Sequence, residues 1–141
     1  MPSMSNLLRS LCLLALTAHL TLAQAATAQP RDPVVTALMT RAMANLPGQE
    51  VLMLIVVYPP GGFDPVHRHD AHGFIYVLEG SIVMGVQGGK AVTLHPGDTF
   101  YEGPEDVHTV GRNASQTEPA KFLVVLVKDA HKPAVLPVAG Q

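Results

Sequence analysis

The sequence predicts an all-β domain, a small sandwich or barrel preceded by one short helix, and three observations lead to it. Short apolar runs rich in β-branched and aromatic residues recur between residues 50 and 128. Turn signals such as Pro59-Pro60-Gly61-Gly62, Pro96-Gly97-Asp98 and Gly103-Pro104 separate them at regular intervals, the pattern of short strands joined by tight turns. Residues 81–87 and 90–94 also flank Gly88-Gly89, a two-residue connection whose glycines permit the positive φ that hairpin turns demand.

Taken in order, the N-terminal region places Arg9 ahead of an apolar stretch over residues 11–22, broken only by Thr17, His19 and Thr21. It is shorter than the roughly 20 residues a membrane-spanning helix needs. Small-x-small sites follow at Ala23-Gln24-Ala25 and Ala26-Thr27-Ala28, so residues 1–28 resemble a secretory signal peptide cleaved after Ala28. The expectation is a secreted or periplasmic protein with no membrane attachment after cleavage. Cys12, the only cysteine, leaves with the leader, which removes disulfides and thiolate chemistry from the mature chain. The net charge is −2 and no lysine or arginine cluster remains, which argues against nucleic acid as a partner.

Residues 29–49 form the expected helical segment. Asp32-Pro33 reads as an N-cap with proline at the first helical position, Val34, Leu38 and Met39 or Ala42 follow at helical spacing, and Leu46-Pro47-Gly48 closes it. Met39 and Met43 on that stripe are read as packing residues. Residues 50–128 then form the barrel. Residues 51–58 are almost continuously apolar, as a strand covered on both sides would be. Further strands are expected at 66–69, 73–79, 81–87, 90–94, 99–102, 107–110 and 122–128. The tail, residues 129–141, contains Pro133 and Pro137 and is expected to be loose. The apolar strands 51–58 and 122–127, if left as bare edges, would favour a homodimer.

Chemistry concentrates in residues 67–80. His67 and His69 stand two apart, which in an extended chain aims both imidazoles at one face. His108 lies on a later strand that a barrel could bring opposite them. Imidazole suits zinc, copper, iron and nickel, and three histidines with an open position make a catalytic rather than a sealed metal site. A surface strand can also carry two histidines with no metal role. His72 is open between a fourth ligand, an acid or base that touches substrate, and a polar turn residue. Asp70 reads as a turn residue or as a partner that orients a ligand ring. His95 belongs to a turn, His131 to the tail, and Tyr76 and Tyr101 read as packing residues. Asp64, Glu102, Glu105 and Asp106 all sit in turn-like surroundings, where acids are ordinary. No nucleophile elbow and no phosphate-cradling glycine loop is present. Asn113-Ala114-Ser115 fits a glycosylation acceptor.

Together, Gly62, the His67-Arg68-His69 triplet and the Tyr76-Val77-Leu78-Glu79-Gly80 strand end resemble the first motif of the cupin family. Pro104, Asp106, His108 and Asn113 resemble its second motif. The first motif also has a glutamate, which would fall on Gly73, a position without a side chain. The resemblance covers residues 50–128. It implies a jelly-roll β-barrel with an interior site for one divalent transition metal (Fe, Zn, Mn, Ni or Cu), held by His67, His69 and His108, with His72 a candidate fourth ligand. Three neutral imidazoles would leave the ion's charge uncompensated and favour an anionic ligand or a bound hydroxide. The activity it implies is a dioxygenase-type oxidoreductase on a small organic substrate; the alternatives are a metal-dependent small-molecule binding or sensing module and a purely structural barrel.

Overall fold

The structure, a computed structural model, describes residues 31–138. The leader expected over residues 1–28 lies outside them. Ten strands build two five-stranded sheets. The first sheet contains β1 (Val34–Ala42), β2 (Gln49–Tyr58), β4 (Ala71–Glu79), β7 (Thr99–Glu102) and β9 (Ala120–Asp129), in the order β1-β2-β9-β4-β7. In the second are β3 (His67–Arg68), β5 (Ile82–Val86), β6 (Val92–Leu94), β8 (Val107–Asn113) and β10 (Leu136–Pro137), in the order β10-β3-β8-β5-β6. All pairings between strands are antiparallel. This is the all-β sandwich or barrel expected from the recurring short strands, in the jelly-roll form that the resemblance implied.

The core follows from period-two alternation. Along β9, Ala120, Phe122, Val124 and Leu126 face inward, and along β4 Ala71, Gly73, Ile75 and Val77 do the same. His72, Phe74, Tyr76 and Leu78 therefore face outward. Ile82 and Met84 of β5 complete the apolar layer from the second sheet. Each of the larger ones, such as Phe122, Leu126, Ile82 and Met84, contributes about 1.5–3 kcal/mol when fully buried. Lys128 continues the inward row of β9 but is a charge, and it is matched by Glu50, its register partner on β2, at 2.7 Å.

Three expectations are corrected. The helix expected within residues 29–49 is instead β1, which pairs along its length with β2. Val34, Val35, Thr36 and Thr40 favour an extended chain. A helix of that length is marginal alone, whereas β2 offers a full row of backbone partners. The tail is not wholly loose, because Leu136 and Pro137 pair with Arg68 and His67. The apolar strands expected as bare edges, 51–58 and 122–127, lie inside the first sheet, where β2 sits between β1 and β9 and β9 between β2 and β4. That placement removes the ground on which a homodimer was expected. The apolar edge is β1 itself, with Val34, Val35, Leu38 and Met39 exposed.

Asn113, the candidate glycosylation acceptor, is 1% exposed. Its Nδ2 donates to the carbonyls of Tyr58, Pro59 and Glu118, and its Oδ1 accepts from the Ser115 amide. The amide is therefore fully committed inside the fold and cannot accept a glycan there. It ties the end of β2 to the end of β8. Asn113→Ala should destabilise the domain by about 2–4 kcal/mol, since the buried Tyr58 carbonyl, the carbonyls of Pro59 and Glu118 and the Ser115 amide lose their partner at once. Urea unfolding followed by far-UV circular dichroism measures this, and a loss below about 1 kcal/mol would show that the network carries little.

Candidate metal centre

Register brings the first two histidines together. His67 on β3 is the direct partner of His108 on β8, so their side chains leave the same face of the second sheet. His69 follows β3 by one residue and keeps that side. His67 Nε2 lies 3.1 Å from His69 Nε2 and 3.4 Å from His108 Nδ1. Two nitrogens each about 2.0–2.1 Å from one ion at a tetrahedral angle are roughly 3.3–3.4 Å apart, and closer to about 3 Å at a right angle. His67 Nε2 is therefore at ligand spacing from each of the other two rings, and the three ligand nitrogens lie within 4.8 Å of one another.

Hydrogen bonding fixes which nitrogens face the centre. His67 Nδ1 donates to the Pro65 carbonyl at 2.8 Å, and His69 Nδ1 donates to the Ala134 carbonyl at 2.5 Å. Both Nε2 atoms then carry lone pairs, and these point at each other. Such a contact is repulsive unless a cation or a proton sits between them. Burial opposes the proton: it is the main reason His69 is held below its usual pKa and His108 is pushed down to about 4, with His67 adding to the depression of His108. Neutral imidazoles are the form a metal takes. The residues present thus fit a divalent transition metal. Backbone carbonyls, not Asp70, orient the two rings.

His108 is held differently, because its Nε2 is buried with no hydrogen-bond partner among the described residues. Gly111 provides its space. A Cβ on Gly111 would lie 2.8 Å from His108 Cε1 and 3.0 Å from the Tyr58 hydroxyl. His108 and Gly111 can both face inward, although three residues apart, because β8 shifts register against β5 between the partners of Gly85 and Val86. A bulge of this kind re-aims a side chain beside a site.

His72 is not part of the group. It stands on the outer face of β4, exposed, with Nδ1 2.7 Å from the Tyr101 hydroxyl. The alternation that turns Gly73 inward turns His72 outward, which corrects its candidacy as a fourth ligand. Tyr76 and Tyr101 are exposed on the same outer face rather than packed inside. His95 is exposed and bonded to Ser81 Oγ. The residue that sequence reasoning passed over is Glu102, which is 3% exposed. Its Oε2 lies 3.4 Å from His69 Nε2 and its Oε1 3.3 Å from His108 Nδ1. Burial, then Asp106 and Asp64, push its carboxyl up to about 7. It ends a strand before Gly103-Pro104, so it reads as a turn acid until the strand partner is known.

A cavity of about 130 Å³ adjoins the histidines. Val56, Ile75, Phe122 and Val124 form its apolar wall, and Asp64 and Glu102 join the three histidines at the polar end. The Tyr58 hydroxyl donates to the Asp64 carboxylate. Burial holds Asp64 above the usual carboxylate range, although the bond from Tyr58 and the nearness of His67 oppose this. Val35 and Val135, both more than half exposed, form the outer rim. The space suits a ligand of roughly benzene size or smaller.

Because the His108 ring occupies the space a side chain at 111 would need, Gly111→Ala should lower metal affinity by about 10–100-fold, the range typical of a disturbed support for a ligand. Calorimetric titration with Zn(II) checks this. Unchanged affinity in the folded variant would show that the ring has room to move.

Residues 54–126 match the Cupin domain family. No curated protein matches the chain. Among solved structures, an oxalate oxidase superposes with a TM-score of 0.58 at 26% identity, covering 79% of this chain and 57% of that one. The DMSP lyase DddQ from Ruegeria pomeroyi gives 0.56 at 24% identity, covering 64% and 45%. A conserved protein with a double-stranded β-helix domain from Klebsiella pneumoniae gives 0.60 at 18% identity, covering 76% and 86%. The chain spans about half the length of the oxalate oxidase and of the lyase. With the match running over a little more than half of the sequence, and the motif histidines gathered at one end of a jelly roll, the chain belongs to the cupin domain family.

Proposed function

We propose that this cupin is a metal-dependent oxidoreductase of the dioxygenase type, acting on a small organic substrate. One observation carries the reading: the two facing Nε2 lone pairs of His67 and His69, only 3.1 Å apart, open onto a cavity large enough for a small molecule. A divalent transition metal held there by His67, His69 and His108 would supply Lewis acidity and, if redox-active, reaction with oxygen. The chain's own groups do the rest. The apolar wall of Val56, Ile75, Phe122 and Val124 excludes water and packs the carbon skeleton. Asp64 stands at the polar end, backed by the Tyr58 hydroxyl, where it can accept a proton from the bound molecule and hold it at its carboxylate. The likeness to an oxalate oxidase supports a small, oxygen-bearing substrate but does not identify it.

A non-catalytic binding or sensing module would use the same cavity without turnover. Elemental analysis of purified protein should find about one transition metal per chain, lost in His67→Ala and His108→Ala; unchanged content in both variants would sink the site. Oxygen uptake with small enols, thiols, phenols and short carboxylic acids then separates enzyme from binder. Uptake abolished by Asp64→Asn with metal retained is the enzymatic outcome, and zero uptake across the panel with iron bound favours the binder.

Export to the periplasm or the medium belongs to the same proposal, supported by Arg9 and the apolar residues 11–22 ahead of the Ala26-Thr27-Ala28 site. N-terminal sequencing of protein recovered from the host's outer compartment should begin at Gln29. An intact Met1 terminus would overturn it.

A further inference from the structure

We propose that Glu102, on β7, is the fourth protein ligand of the metal centre, replacing from the neighbouring strand the motif carboxylate that Gly73 cannot supply. The inference rests on the metal-centre reading above and adds a residue to it. In the antiparallel pairing of β4 with β7, Gly73 lies directly opposite Glu102, so both positions face the same patch of the inner wall. A Cβ built on Gly73 would lie 3.6 Å from the Cβ of Glu102. The two positions can therefore deliver a carboxylate to nearly the same place.

The oxygens of Glu102 also approach the nitrogens that face the centre. One carboxylate oxygen is near His69 Nε2 and the other near His108 Nδ1. His69 Nε2 has no hydrogen to donate, since the ring proton is on Nδ1 and is given to the Ala134 carbonyl. A carboxylate set against that lone pair is repelled, as His67 Nε2 is, and a shared cation relieves both contacts together. In its ionised form Glu102 meets no donor at His69 Nε2, whereas the Asp106 carboxylate is turned toward the Gly103 amide. His72, the other candidate for the vacancy, is on the wrong face of β4.

The consequence concerns substrate class. Three neutral imidazoles leave a divalent ion with both charges uncompensated, whereas Glu102 neutralises one of them. The open positions then match a monoanion or a neutral chelator better than a dianion.

Co(II) titration, followed by calorimetry and by the visible absorption of the bound ion, tests the assignment. The isosteric Glu102→Gln should weaken Co(II) binding at least tenfold and alter the spectrum, since a ligand atom is exchanged. Gly73→Glu placed on Glu102→Ala should bind Co(II) more tightly than Glu102→Ala alone, because a Cβ at 73 meets only ordinary contacts, the nearest being Leu126 Cδ2 at 3.4 Å. Glu102→Gln with unchanged affinity and spectrum, in a protein whose wild type binds Co(II), would overturn the ligand role and leave the three-histidine centre standing. A wild type that binds no Co(II) would overturn the centre itself.

Discussion

The facing lone pairs of His67 and His69 are the constraint on which the rest of the site depends. Two imidazoles whose Nδ1 protons are already given to carbonyls cannot hydrogen-bond to each other. At 3.1 Å they are held in an unfavourable contact by the surrounding structure, and only a positive species between them makes it favourable. The carbonyls responsible come from distant parts of the chain. Pro65 belongs to the loop entering β3, and Ala134 to the segment leading into β10. The tail thus takes part in building the site, because it fixes the tautomer of His69 and, through Val135, forms part of the cavity rim.

The sheet framework explains how this geometry is held. Pairing of β3 with β8 fixes His67 against His108, and the register shift in β8 lets both His108 and Gly111 face inward. Asn113 anchors the far end of β8 to the end of β2, which carries Tyr58 and through it Asp64. The polar end of the cavity is therefore built on paired strands and one saturated amide. Precision of a few tenths of an ångström at a metal site comes more readily from such elements than from free loops.

Much of this was legible in the sequence, and the failures share a cause. Alternation, turn residues and H-x-H spacing are local signals, and they indicated the all-β fold, the strand carrying Gly73, and the pair His67 and His69, while His108 came from the expectation of a closed barrel and the resemblance to the second cupin motif. The helix expected in residues 29–49 was a conflict between local periods: Val34 and Leu38 fit a helical spacing, but the same segment is rich in β-branched residues. Pairing with β2 decided it. Glu102 and Ala134 carried no local signal at all. Glu102 gains its meaning only when β7 is set beside β4, and Ala134 only when the tail returns to β3. Both are products of long-range register, which residue type and spacing do not encode.

The electrostatics of the polar end connect the framework to chemistry. Without a cation, burial pushes Glu102 up to about 7 and His108 down to about 4, so each group is driven toward its neutral form. A divalent ion reverses the preference of the carboxylate while keeping the imidazoles neutral. The same low-dielectric wall that disfavours isolated charges then strengthens the attraction between ion, carboxylate and an incoming anion. Asp64 lies outside the group of nitrogens yet within the same cavity, and its hydrogen bond from Tyr58 keeps it oriented as the occupancy of the site changes. Two acids in one small cavity are thereby separated by environment. Glu102 is opposed to the imidazole nitrogens and suited to hold an ion, while Asp64 is backed by a phenol and suited to exchange a proton with whatever the cavity binds.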